Sequence, residues 1–335
     1  MVPTVGVSDV NPEMFVGDNV PAGFLPIDAT AVSARLTVVP GAALVFGIPV
    51  SLPLYNALQL AQGKTVGAID EVNMPSLSKA EVASIMAGRV KNWNQFKAGP
   101  TGQGLRDYVV SLGGTAPGSN LVNICRRVNG SGTQAQMSAK FLNYPCTAGA
   151  SSPTASSSAL TGPVVTLNSS SGNVDTCLNT AATNNRWAVG LQALEKNFLV
   201  AGAYPLAYRF VKIDGVAPTL ANAANGKYFD VVENTFQWRR VGGASTPALQ
   251  LSGDKLNLMS DIANGAGSAT IVRTVMNPNF VYGFGQSGYL ALDTNGTNAP
   301  SYPFSATNPV TPYTHTVGGG LDNCRSPVLL DTAGM

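Results

Sequence analysis

Residues Leu121–Leu142, LVNICRRVNGSGTQAQMSAKFL, decide how this chain is read. Leu121, Val122, Ile124 and Cys125 suit a buried strand. After two arginines, Asn129, Gly130 and Gly132 let the backbone turn sharply. Ser131 or Thr133 can cap a helix that continues through Gln134, Ala135, Met137, Phe141 and Leu142. The first amides of such a helix have no internal partner, and its dipole places partial positive charge there. With Arg127 they form a receptor for an oxyanion such as phosphate, sulfate or a carboxylate. The competing reading is an ordinary strand-turn-helix corner whose arginine pairs with a local carboxylate.

Upstream, Thr4-Val5-Gly6-Val7 reads as a short strand ending in Ser8-Asp9. Asp9 either caps the next segment or, with Ser8, places polar groups at the carboxyl end of a strand, where ligands of open α/β sheets bind. Leu36–Tyr55 is strongly apolar, but Pro40, Pro49 and Pro53, with Gly41 and Gly47, interrupt it. It reads as two short buried strands with a turn between them, not as a membrane span. Pro75–Lys97 holds the best-defined helix. Ser78 and Glu81 form a capping box, Leu77 and Val82 a hydrophobic staple, and Gly88 the stop. Val82, Ile85 and Met86 give its buried face, and Trp93 is a packing anchor.

Downstream, residues Thr147–Gly172 read as a low-complexity surface loop. Trp187-Ala188-Val189-Gly190 is a short strand and turn, followed by a helical face of Leu191, Leu194 and Phe198. A strand over Tyr208–Ile213, a turn at Asp214–Pro218, a short helix at Thr219–Gly226, a strand near Tyr228–Val232 and a helix at Asp254–Ala263 follow. The Gly-, Asn-, Pro- and Thr-rich tail should be irregular with a few short strands. Helices alternating with short apolar strands argue for an α/β class.

At 335 residues, with 44% hydrophobic content, the chain can form two lobes around real cores. Only 11% of residues are charged and the net charge is +2, with no basic block, so nucleic acid is not an expected partner. His315 is the single histidine, and none of the four cysteines forms a CxxC pair. A zinc site, a Ser-His-Asp triad and a Cys-His dyad are therefore unsupported, and no metal or cofactor is expected. An even cysteine count in a low-charge chain fits disulfides in an oxidising compartment. Cys146 and Cys177 flank the Ser/Thr-rich loop and are the first candidates for a pair. Met1-Val2-Pro3 opens with neither a basic n-region nor a long apolar h-region, so the expectation is either a leader already removed or a cytoplasmic chain.

Several of these stretches line up, in order, with one family. The chain resembles the phosphate-binding component of bacterial phosphate ABC transporters, in the type 2 periplasmic-binding-protein superfamily. Val5–Asp9 resembles its strand ending in Ser-Asp, and Leu77–Trp93 its helix, glycine stop and tryptophan. Arg126–Thr133, RRVNGSGT, is similar to its Arg-x-Asp-Gly-Ser-Gly-Thr anion loop. Ala188–Leu191, Lys212–Thr219 and Gly226–Tyr228 resemble its later segments.

The resemblance implies two α/β lobes joined by crossing strands, with the ligand in the cleft. Residues 1–50 and 205–335 would form lobe 1 with an irregular C-terminal extension, and residues 51–204 lobe 2. It also implies roles. Asp9, beside Ser8, would accept the proton of a monohydrogen phosphate. Arg127 would supply the guanidinium, and Ser131, Gly132 and Thr133 the hydroxyl and amide donors. The chemistry is consistent: a carboxylate repels a fully ionised anion, whereas a protonated oxyanion can donate to it. Such a pair separates phosphate from sulfate, because a missing donor leaves a buried acceptor unpaired.

Two departures stand out. Asn129 replaces the family's aspartate, removing a charge that would hold Arg127. The strand, loop and helix that precede the family's Ser-Asp stretch have no counterpart here, so an incomplete first lobe with an uncovered sheet edge is expected. The leading expectation is a periplasmic or extracellular solute-binding protein, not an enzyme, that takes phosphate or a similar oxyanion and serves an ABC permease. The alternative is a structural or surface-assembly protein that forms polymers, through self-association or a second chain completing lobe 1. A phosphatase-like hydrolase is third, with no metal cluster or base-nucleophile pair behind it.

Overall fold

The computed structural model describes residues 4–197, 205–276, 288–292, 303–317 and 320–329. The chain divides into two units, Met1–Val45 with Thr219–Met335, and Phe46–Pro218. In chain order, β1 (Val5–Ser8), helix α1 (Ala29–Arg35) and β2 (Leu36–Gly47) come first. The second unit continues with β3 (Pro49–Ser51), α2 (Leu52–Ala61), β4 (Ser76–Leu77), α3 (Lys79–Met86), β5 (Lys97–Ala98), β6 (Gln103–Gly104) and α4 (Leu105–Ser111). Its central part is β7 (Asn123–Arg127), α5 (Gly132–Leu142), β8 (Ser157–Ser158), β9 (Val164–Asn168) and α6 (Ser171–Thr183). It closes with β10 (Ala188–Gly190), β11 (Gln192–Ala193), β12 (Tyr208–Phe210) and β13 (Lys212–Ile213). The first unit resumes with α7 (Leu220–Ala224), β14 (Val231–Arg239), α8 (Gly253–Ala266), β15 (Tyr289–Leu292) and β16 (Val310–Thr311). The α/β class is therefore the one the chain adopts.

In the first unit the strand order is β1-β14-β2-β15-β16. Over Leu36–Tyr55 two strands form as expected, but β2 runs unbroken through Pro40 and Gly41 to Gly47, β3 has only three residues, and Leu52 already opens α2. Proline normally breaks a ladder because it lacks an N–H. Here Pro40 pairs with Thr235 at the place where the β2–β14 register shifts, between Glu233 and Thr235. The bulge removes the need for that donor. Gly41, next to it, lies so close to β14 that a Cβ would overlap the Asn234 side chain and the ring of Phe236. Gly41→Ala should therefore destabilise the protein by about 1–3 kcal/mol, the range for overpacking, and a urea midpoint unchanged from wild type would contradict this. Pro53 is harmless because it sits in the first turn of α2, where N–H groups have no helical partner anyway.

In the second unit the order is β12-β3-β10-β7-β9-β8. β7 lies between β10 and β9 and runs parallel to both. α6 connects β9 to β10 and so crosses one face of β7. Cys125, Val174, Leu178, Ala188, Tyr208 and Phe210 form the core beneath it. This overturns the expected Cys146–Cys177 pair: the disulfide is Cys125–Cys177, with Cα atoms 5.9 Å apart. Flanking a loop brought Cys146 no closer, whereas strand alternation turned Cys125 toward α6. Cys146 and Cys324 are oxidised as well, and none of the described cysteines is free.

The Ser/Thr-rich stretch also departs from expectation. It contains β8 and β9, and β9 is an inner strand of the sheet. Within that composition, Val164-Val165-Thr166-Leu167 is β-branched enough to pair with β7. Leu191 and Leu194 form no helical face. Gln192–Ala193 pairs with Phe46–Gly47, and Leu194–Lys196 is a 3-10 turn. Phe198 lies outside the described residues.

α3 forms with both halves of its capping box, Glu81 N donating to Ser78 Oγ at 3.1 Å and Ser78 N to Glu81 Oε2 at 2.7 Å. It is shorter than the expected span and stops before Gly88, whose φ is +68°. Trp93 is buried, 5.7 Å from Trp187 and 5.9 Å from Phe96 by ring centroids, which is the packing anchor expected of it.

Candidate functional site

β7 delivers the chain to the α5 corner. Side chains alternate across a strand, so its two arginines part company. Arg127 turns to the side of Cys125 and reaches the start of α6. Its Nε donates to Asn168 O at 3.3 Å, Nη1 to Ser171 Oγ at 3.2 Å and Nη2 to Ser169 O at 3.1 Å. Arg126 takes the opposite face and is only 3% exposed. Its Nη1 donates to Arg127 O at 3.0 Å and, with Nη2, to Asn129 Oδ1 at 3.2 Å. Asn129 thus orients a buried guanidinium with a neutral oxygen. Position 129 was expected to bear on Arg127, but its side chain meets Arg126 instead.

The turn that follows is built for a helix start. Gly130 has φ +85°, a conformation that suits glycine. Of the two candidate caps, Ser131 acts, its Oγ accepting from Gln134 N at 3.4 Å. α5 then runs for 11 residues and ends at Asn143 in the left-handed region, φ +54°. Thr133 and Gln134 in the first turn are both buried. The spacing of Ser131 and Gln134 also fits a capping box. Ser131 N instead donates to Val128 O at 3.3 Å. Gln134 is left fully enclosed, with neither Nε2 nor Oε1 hydrogen-bonded. An enclosed amide without a partner is costly, so this one marks a place where a partner belongs.

Four of the six residues singled out from the sequence, Arg127, Ser131, Gly132 and Thr133, share this corner. Ser8 and Asp9 belong to the other unit, at the end of β1. There Ser8 Oγ accepts from Val10 N at 3.2 Å, and Thr235 Oγ1 donates to Val10 O at 3.0 Å. Two residues were missed. Arg126 could have been found by alternation had the Cys125 pairing been known. Gln134 could not, because in the sequence it is only one more residue of the helical run. Among the described residues, no group of three His, Cys, Asp or Glu side chains could hold a metal ion. No described helix is long and apolar enough to cross a membrane. The oxidised cysteines fit an extracytoplasmic location.

No protein-family model matches the chain, and no curated protein matches it. Solved structures do. The ancestral soluble variant of the Human Phosphate Binding Protein is 13% identical, covers 92% of this chain and 84% of its own, and gives a TM-score of 0.46. PstS from Borrelia burgdorferi is 11% identical over 87% of this chain and 80% of its own, with a TM-score of 0.42. An ABC-type phosphate transport receptor from Vibrio cholerae is 13% identical over 78% of each chain, with a TM-score of 0.39. Over most of its length, and at low identity, this chain is thus similar to solved phosphate-binding receptors.

Proposed function

We infer that this protein is a periplasmic or extracellular solute-binding protein that takes phosphate or a related oxyanion at the first turn of α5. The observation that supports it most is the pairing of a buried Arg126 guanidinium with a buried helix start whose enclosed Gln134 amide has no partner. Helix amides and an oriented guanidinium are the donors an oxyanion needs. Ser131 and Thr133 add hydroxyls. On this reading a membrane permease is the partner that receives the ligand.

Calorimetry with phosphate, sulfate and arsenate on anion-free protein tests this. Arg126→Ala should weaken binding by about 1.5–3 kcal/mol, the value of a charged hydrogen bond, or roughly ten- to a hundredfold. Arg127→Ala should matter less, since that guanidinium is engaged by Asn168, Ser169 and Ser171. If the wild-type protein binds none of the three anions, the reading fails.

A further inference from the structure

A second concave site lies in the second unit, on the face of β7 and β9 that α6 crosses. It is a cavity of about 410 Å³. The β7–β9 register places Asn123 opposite Val164 and Arg127 opposite Asn168. Alternation then puts Asn123, Cys125, Thr166 and Asn168 on one surface. α6 supplies the wall with Asn173, Thr176, Thr180 and Asn184, spaced at three and four residues along one side of the helix.

Asn123 and Asn168 are 8% and 5% exposed, and their amide groups are fixed in orientation. Asn123 Nδ2 donates to Leu121 O at 2.9 Å and Trp187 O at 3.4 Å. Asn168 Nδ2 donates to Arg126 O at 3.0 Å and Thr166 O at 3.1 Å. Both nitrogens are committed to backbone carbonyls, so the Oδ1 atoms are the acceptors these two cavity-lining residues have left to offer. Neither Oδ1 has a hydrogen-bond donor among the described residues. Four strand positions separate the two residues, about 13 Å at ~3.3 Å per residue. The rim carries one charge, Arg186, and no carboxylate lines the cavity.

We propose that this groove binds a neutral, hydroxyl-rich ligand, a disaccharide. Two nearly buried acceptors set well apart call for a ligand with hydroxyl donors at both ends. The Thr166 and Thr180 hydroxyls and the Arg186 guanidinium return donors to its other oxygens, whereas the Thr176 hydroxyl is engaged by Gly172 O. The absence of a carboxylate from the lining disfavours an ammonium group, so an amino acid or a polyamine fits poorly. The Cys125–Cys177 bond joins the floor of the groove to its wall, so little ordering is needed on binding. This site stands apart from the α5 corner, and its occupancy does not depend on the anion reading.

Calorimetry and saturation-transfer NMR on the full chain, with maltose, cellobiose and diacetylchitobiose as probes, test the proposal. Saturable binding of at least one disaccharide is expected. Asn168→Leu should reduce it at least tenfold. Because that change touches a buried residue, Thr176→Trp is the deciding variant: it fills the groove from an exposed helix position. It should abolish disaccharide binding with an unchanged melting temperature and unchanged phosphate titration. No binding of any of the three sugars, or binding that Thr176→Trp leaves intact, overturns the proposal. So does phosphate binding that Arg186→Ala removes, which would make the groove an anion site.

Discussion

Glu233→Ala should destabilise the first unit by about 3–5 kcal/mol, the range for removing one partner of a buried pair. Glu233 and His315 are each 1% exposed. Glu233 Oε1 accepts from Thr314 Oγ1 and from His315 N, both at 2.7 Å, and Oε2 meets His315 Nδ1 at 2.7 Å. Alanine would take the shared acceptor from a backbone amide, a hydroxyl and an imidazole nitrogen at once. Glu233→Gln keeps one acceptor and should cost less.

The same cluster predicts acid sensitivity. Burial by itself pushes the Glu233 carboxyl up, but the hydrogen bond and charge of His315, with the His315 amide and Thr314 hydroxyl, bring it net below its ordinary 4.5. A carboxyl depressed in the folded state contributes stability that is fully present above its unfolded pKa. That contribution disappears as pH falls through the lower folded value. Wild-type stability should therefore drop on acidification below about pH 4.5, and Glu233→Gln should lose less over the same window. Urea titrations of both proteins at neutral pH and near pH ~3 measure the difference. Equal losses in the two proteins would remove Glu233 from the explanation.

Removing the Cys125–Cys177 bond is the second large effect. It links residues 52 apart in sequence. The chain-entropy account gives about 4 kcal/mol for a loop of that size. The double variant Cys125→Ala, Cys177→Ala should show that loss in a urea titration. It tests the bond more cleanly than a reductant, because Cys146 and Cys324 are oxidised too. The variant should also loosen the groove under α6, since its floor and wall would no longer be joined. A midpoint within error of wild type would mean that the packing of Val174, Leu178, Tyr208 and Phe210 holds α6 without it.

Local signals in the sequence were reliable where a residue's partner lay within a few positions. Ser78 and Glu81 made their capping box, Ser131 capped α5, Gly88 and Gly130 took positive φ, and Thr219 capped α7. The apolar run before Arg126 formed its strand. Composition misled where it averaged over unlike pieces. The Ser/Thr-rich stretch hid β9 because four apolar or β-branched residues were outnumbered by their flanks. Pro40 reads as a break because nothing in β2 itself reveals the bulge at Asn234 in β14.

The sequence by itself determined that an α/β chain would present a capped helix start after a strand ending in two arginines, and that its cysteines belonged in an oxidising setting. Tertiary structure alone decided which arginine turns toward α6 and which turns away, which cysteine meets Cys177, and which amides are left enclosed. The reason is geometric. A cap or a turn is made by neighbours along the chain, and its residues carry the whole signal. The face a strand residue takes is set by what crosses that face, and α6, which fixes Cys125 and Arg127 on one side and leaves Arg126 on the other, is contributed by residues roughly fifty positions away.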